Sequence, residues 1–186
     1  MRALQIGLVF ETFETYSAVP GDPADVHAEY EPESTIEALE SAIAALGHRA
    51  VRIGSPHALL AGLRGSELGE VAAVFNLAEG QATRNREAWA PVLCEMAGLP
   101  LLGSDALSLS LSLDKLWANR FLAAQGIPVA AQCAFESPER VQSAPLPAAF
   151  PLFVKPRWEG TAKGIRATSR VMDRGALDRA IDRIDA

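Results

Sequence analysis

Residues Val71–Gly103 read VAAVFNLAEGQATRNREAWAPVLCEMAGLPLLG. The opening VAAVF is a wholly apolar run of strand length. Asn76–Gly80 interrupts it as a loop, and Arg84–Ala97 follows as a helix closed by Gly98. Leu99–Leu102 is a second short apolar run, stopped by Gly103. Strand, loop, helix and strand in that order make a parallel βαβ unit. The same alternation runs upstream. Ala3–Phe10 (ALQIGLVF) has the length of a buried strand. Ser34 and Glu37 have capping-box spacing, and Ile36, Leu39, Ile43 and Leu46 recur at helical spacing up to Gly47, which suits a left-handed C-cap. His48–Ile53 reads as a strand and Pro56–Leu63 as a short helix. The expected fold class is α/β, a parallel sheet with helices on its faces. Ligands of such sheets sit beyond the carboxyl ends of the strands. Glu11 and the Asn76–Gly80 loop both begin there.

Composition bounds what this fold can do. The chain has 186 residues, 49% apolar and 22% charged, enough for a real core in one domain or two small ones. Its net charge of −6 argues against general nucleic-acid binding, which needs a cationic surface. No apolar run approaches the ~20 residues of a membrane span, and Leu4–Phe10 is too short for a signal peptide. Neither nucleic acid nor a membrane is therefore expected as a partner. Two cysteines, Cys94 and Cys133, suit a reducing cytoplasm better than a disulfide scaffold. The three histidines, His27, His48 and His57, are scattered without metal-ligand spacing.

Two segments resist a regular assignment. Glu11–Pro32 holds three prolines and several acids without periodicity, so it reads as a long loop, either functional or a plain surface excursion. Ser104–Gln125 alternates leucine with serine at first, like a strand. Leu113, Leu116, Trp117 and Phe121 then follow at spacings of three and four, and the length favours one helix closed by Gly126. Gly126-Ile127-Pro128 marks a domain boundary. Beyond it, Val129–Phe135 reads as a strand, Ser137-Pro138-Glu139 as a helix start, and Pro151–Lys155 with Ile165–Val171 as a hairpin. Asp173 caps a last helix with Leu177, Ile181 and Ile184 on one face. The expected division is 1–103, a connecting helix 104–128, and 129–186.

The hairpin loop carries the chemistry. In Phe153–Ile165, FVKPRWEGTAKGI, Lys155 ends an apolar strand and Pro156 turns the chain out. Two glycines, a hydroxyl and Lys163 follow. Glycine lets backbone N–H groups approach phosphate oxygens, and lysines add point charges. The alternative is an ordinary solvated hairpin. It is not a Walker A loop, because it joins strand to strand. A second piece is Ser112-Leu113-Asp114-Lys115, whose lysine sits in an otherwise apolar helix, by default on its exposed face.

Taken together, these pieces resemble the ATP-grasp ligases, most closely the D-alanine–D-alanine ligase group. Phe75-Asn76 and its turn match the strand ending in F-N. Gly98-Leu99-Pro100-Leu101-Leu102-Gly103-Ser104 matches G-[IL]-P-x-x-G-S. Asp114-Lys115 matches D-K, Ala124-Gln125-Gly126-Ile127-Pro128 matches A-x-G-[IL]-P, and Lys155–Gly164 matches K-P-x-x-E-G-[ST]-[ST]-x-G at all but one position. The resemblance implies a parallel, doubly wound, Rossmann-like first domain followed by the first part of an ATP-grasp α+β domain. It implies that Lys115 and Lys155 contact ATP phosphates, and that Glu159, Gly160, Thr161, Lys163 and Gly164 form the loop that closes over them. It implies amide formation between a carboxylate and an amine through an acyl phosphate, with Mg2+ bridging phosphates, amino-acid or dipeptide-type substrates, and a cytoplasmic enzyme of peptidoglycan synthesis. Self-pairing as a homodimer is left open.

The chain departs from the group at three places. After the first strand it reads Phe10-Glu11-Thr12-Phe13-Glu14 where the ligases carry a glycine pair with serine and glutamate. Glu11, Glu14 and Glu79 are the candidate substrate-binding carboxylates; Arg86 is expected on a helix surface. The loop reads Thr161-Ala162 where two hydroxyls are usual. The chain also ends at Ala186, before the adenine strand and magnesium cluster the resemblance implies. The expectation is therefore an N-terminal part that does not turn over alone, with metal ligands outside it and no catalytic residue assigned within it. The alternative is a non-catalytic module binding nucleotide or a partner chain. A doubly wound nucleotide-binding domain of another kind lacks support, since no G-x-G-x-x-G follows the first strand.

Overall fold

The computed structural model describes residues 2–17, 19–20, 22–65, 67–81, 83–135 and 145–184. The chain divides into two compact units, Met1–Ser110 and Leu111–Ala186.

The first unit is built on four parallel strands, β1 (Gln5–Val9), β2 (Arg49–Gly54), β3 (Val71–Asn76) and β4 (Leu101–Leu102), in the order β2-β1-β3-β4. Gly7 lies opposite Val51 on one side and Val74 on the other. Alternate residues of β1 feed opposite faces, as the pleat requires. Leu8 and Phe10 pack with Ile36 of α1 (Glu33–Ala45). Val9 packs with Leu59 of α2 (Pro56–Arg64) and with Ala90 and Cys94 of α3 (Trp89–Ala97). Helices thus cover both faces, and the sheet is doubly wound as expected. The strand order reverses between β1 and β3, which makes that gap the switch point.

The second unit has its own core. β5 (Leu152–Phe153) and β6 (Arg170–Val171) pair antiparallel, and α6 (Arg174–Asp182) packs Leu177 and Ala180 onto Val171. The hairpin is present but shorter than expected, because a 3-10 turn, Ala167–Ser169, takes the chain before β6. Asp173 caps α6 as expected, its carboxylate accepting from the Ala176 N–H at 2.7 Å.

Several local expectations need correction. The Ser34–Glu37 capping box does not form: α1 starts at Glu33 with Pro32 as N-cap, so Ser34 is already helical. Backbone bonds between Glu31 and both Glu11 and Phe13 pin the chain just before Pro32, and the helix begins as soon as it is released. Arg84–Ala97 is not one helix; a 3-10 turn, Arg86–Ala88, leads into α3. The single helix expected over Ser104–Gln125 is two, α4 (Ala106–Leu113) and α5 (Lys115–Ala124), parted by Asp114 in an extended conformation. Residues 129–135 form no strand. Gln132 instead accepts from the Asn119 amide at 2.8 Å and donates to the Leu116 carbonyl at 3.4 Å, so side chains fasten this segment along α5. The helix start at Ser137-Pro138-Glu139 lies outside the described residues. Among those described, no helix is long and apolar enough to cross a membrane.

Candidate functional site

At the carboxyl end of the sheet, a cavity of ≈520 Å³ opens beside β1 and β2. Phe10 and Glu11 line it from the end of β1, Gly54 and Ser55 from the end of β2, and Gln81 from the loop after β3. Tyr16 and Tyr30 of the long Glu11–Pro32 loop, the chain's two tyrosines, complete the wall. That loop is ordered rather than a loose excursion. Thr12 bridges Glu31, and His27 meets the rings of Phe13 and Tyr16 at 5.6 and 5.7 Å. Burial, then the negative charge of Glu11, pushes the Tyr30 phenol up to about 12, so it stays an O–H donor. Arg52 brings a guanidinium to the wall, oriented by Glu40 at 2.7 Å and by Glu33.

Glu11 does two things. Its Oε2 accepts the backbone N–H groups of Glu79 at 3.2 Å and Gly80 at 2.9 Å, tying the end of β1 to the loop after β3 at the switch point. Its Oε1 takes no hydrogen bond among the described residues. Gly80 has φ +65°, and a Cβ there would stand 2.9 Å from Arg86 Cβ. Both the turn and the close approach require glycine.

Glu79 lies beside this cavity in a cluster with Glu29 and Glu87, one oxygen of each within 4.8 Å of the others. Arg86, expected on a surface, is 2% exposed and pairs with buried Glu29 at 2.7 Å. Burial first, then the charge of Glu87, raises the Glu79 carboxyl to about 7. The cluster does not fit Mg2+, which wants open oxygen ligands in octahedral array, because a guanidinium already sits among the carboxylates. Glu14 is exposed on the 3-10 turn Phe13–Thr15 and does not line the cavity. A second groove of ≈580 Å³, between α2, α3 and the start of α4, is almost wholly apolar.

In the second unit, the Pro156–Gly164 loop is compact. Thr161 and Ala162 have φ 45° and 60°, a conformation costly for non-glycine and above all β-branched residues. A Cβ on Gly164 would come within 2.7 Å of Pro156 Cγ, so glycine lets the two stems of the loop touch. Lys163 pairs with Glu159 at 2.9 Å. Lys115 is not on an exposed helix face. It is the first residue of α5, and its ammonium donates to the carbonyls of Arg157, at 3.4 Å, and Glu159. Lys155 is exposed two residues beyond β5, not at the expected strand end. Loop and α5 therefore bring Lys115, Glu159, Gly160, Thr161, Lys163 and Gly164 together, with Lys155 at the loop's root.

The residues to which sequence reasoning gave no role are Glu29, Arg52, Tyr16, Tyr30, Arg157 and Trp158. Both tyrosines of the sequence fall in one aperiodic loop, a signal from which the cavity wall could have been found.

Comparison with known proteins bears on the fold. No family model matches. A D-alanine–D-alanine ligase of Xanthomonas axonopodis is 32% identical over 111 residues, 58% of this chain and 34% of that protein. The chain resembles the N-terminal portion of the D-alanine–D-alanine ligases, ATP-grasp proteins. It spans about a third of the length of the curated relatives it matches. The crystal structure of the Bacillus anthracis D-alanine–D-alanine ligase complexed with ATP superposes with TM-score 0.60 and 17% identity, over 99% of this chain and 53% of that one. The VanG D-Ala:D-Ser ligase of Enterococcus faecalis superposes with TM-score 0.62 and 19% identity, over 98% and 60%. These likenesses establish a ligase-like N-terminal fold.

Proposed function

We propose that this chain is part of an ATP-dependent carboxylate–amine ligase, with its phosphate site on the Pro156–Gly164 loop and α5. The supporting observation is the gathering of Lys115, Lys163 and the left-handed run Thr161-Ala162 around a glycine-closed loop, with Lys155 at its root. This is what binding a polyphosphate asks for: cations held in place, and glycines that open the backbone to phosphate oxygens. In this reading Lys115 exchanges the carbonyls of Arg157 and Glu159 for phosphate oxygens, and Lys163 exchanges Glu159. Mg2+, when bound with ATP, supplies charge neutralisation on the phosphates; its ligands are proposed to lie outside the described residues.

The reaction is amide formation. A substrate carboxylate attacks the γ-phosphorus, the bond to the β-phosphate oxygen breaks, and ADP leaves. An amine then attacks the acyl carbon, inorganic phosphate leaves, and the amine loses a proton. The cavity at the carboxyl ends of β1 and β2 is the place proposed for an amino-acid-type substrate, Glu11 Oε1 meeting its ammonium and Arg52 its carboxylate. Glu79 acts through the loop that Glu11 holds. Use of ATP implies a cytoplasmic protein in this reading. Peptidoglycan synthesis is the pathway the resemblance suggests.

Lys155→Ala tests the phosphate site. Titration calorimetry with ATP is expected to show at least tenfold weaker binding with an unchanged thermal midpoint. Unchanged affinity would remove the site. Binding that depends on Lys155 without ADP release would favour a nucleotide-binding module.

A further inference from the structure

Asp114 is 4% exposed, yet one carboxylate collects five donors. Its Oδ1 accepts the N–H groups of Leu116 at 3.1 Å and Trp117 at 3.2 Å, which caps α5. The same oxygen accepts Arg157 Nε at 2.8 Å. Oδ2 accepts Arg157 Nη2 at 2.7 Å and Trp158 Nε1 at 3.1 Å. The Arg157 guanidinium also lies 5.2 Å over the Trp158 ring, so the fork is held from both sides. A carboxylate this saturated has little capacity left for a ligand. Paired with Arg157, it also adds no net charge that would repel an anion.

What Asp114 does is join two short pieces of chain. Lys115 follows it directly, and the Lys115 N–H donates to the Arg157 carbonyl at 3.3 Å. Lys155 precedes Arg157 by two residues, across Pro156, whose ring restricts the backbone between them. The bidentate Asp114–Arg157 pair is planar and directional, unlike a point-charge contact. It therefore holds the start of α5, at Lys115, against the chain two residues beyond Lys155.

We infer that Asp114 is a positioning residue, fixing Lys115 and Lys155 at the spacing a polyphosphate needs through its fork to Arg157 and Trp158. This rests on the phosphate-site reading above.

The test is a double-variant cycle on the native protein, with ATP affinity measured by calorimetry for Asp114→Asn, Arg157→Gln and both together. Arg157→Gln leaves the α5 cap in place, so it reports even if Asp114→Asn folds poorly. Each single variant is expected to weaken ATP binding about tenfold, and the double variant no more than either alone, the mark of two residues acting as one unit. Asp114→Glu should recover part of the loss. ATP binding that depends on Lys155 but moves less than twofold in Arg157→Gln and Asp114→Asn would overturn the inference alone. So would losses that multiply in the double variant. Indifference of ATP binding to Lys155→Ala would instead remove the phosphate site, and this inference with it.

Discussion

Glu79 shows how burial and charge set the behaviour of one side chain. It shares a half-buried cluster with Glu29, Glu87 and the single guanidinium of Arg86. Burial, then the Glu87 charge, lifts its carboxyl from 4.5 to about 7. The folded protein thus holds a proton that the unfolded chain releases near pH 4.5. That contribution to stability is fully present below about pH 4.5 and is lost as pH rises to about 7. Glu79→Gln fixes the neutral form. Its stability relative to the wild type is expected to rise from about pH 4.5 to about pH 7 by on the order of 1–2 kcal/mol, less than the full shift because Glu79 is only partly buried and water screens it. Urea unfolding of both proteins across that window measures it; a constant difference would refute the assignment.

Among the elements, the helix starts separate local from tertiary control. Asp173 caps α6 through one bond to the Ala176 N–H, with nothing but the next turn needed. Asp173→Ala should cost about 1 kcal/mol in thermal unfolding. Ser34 looks equally good in sequence but is an exposed residue inside α1. Ser34→Ala should stay within about 0.5 kcal/mol of the wild type. The break between α4 and α5 is of another kind. Aspartate competes with the helix for its own backbone, and here Arg157 and Trp158 hold it in that role from 43 and 44 residues away.

Over the whole molecule, two separate cores carry the fold. In the first unit, Leu59 is fully buried against Val9, Val71 and Val74. Leu59→Ala should leave a cavity and cost about 2–5 kcal/mol. Hydrogen exchange would show the loss in amides of β1 and β3, which share that cluster. Unchanged exchange there would mean that the cluster does not hold the sheet. In the second unit, Val171, Leu177 and Ala180 form the core under β5 and β6. Phe153 and Met172 remain more than half exposed on the hairpin.

The alternation of apolar runs and helical spacing was enough for the parallel, two-faced sheet. The Lys155–Gly164 pattern was enough to locate the loop. These signals are local: each lies within a few residues, where pleat, helical turn and glycine backbone act directly. Tertiary structure alone decided the rest. It buried Arg86 on Glu29 across 57 residues and set the Glu11 carboxylate on N–H groups 68 and 69 residues on. It turned Lys115 from a helix-face lysine into a partner of loop carbonyls. A buried charge must find its counter-charge wherever the fold brings one. No spacing along the chain records which residue that will be.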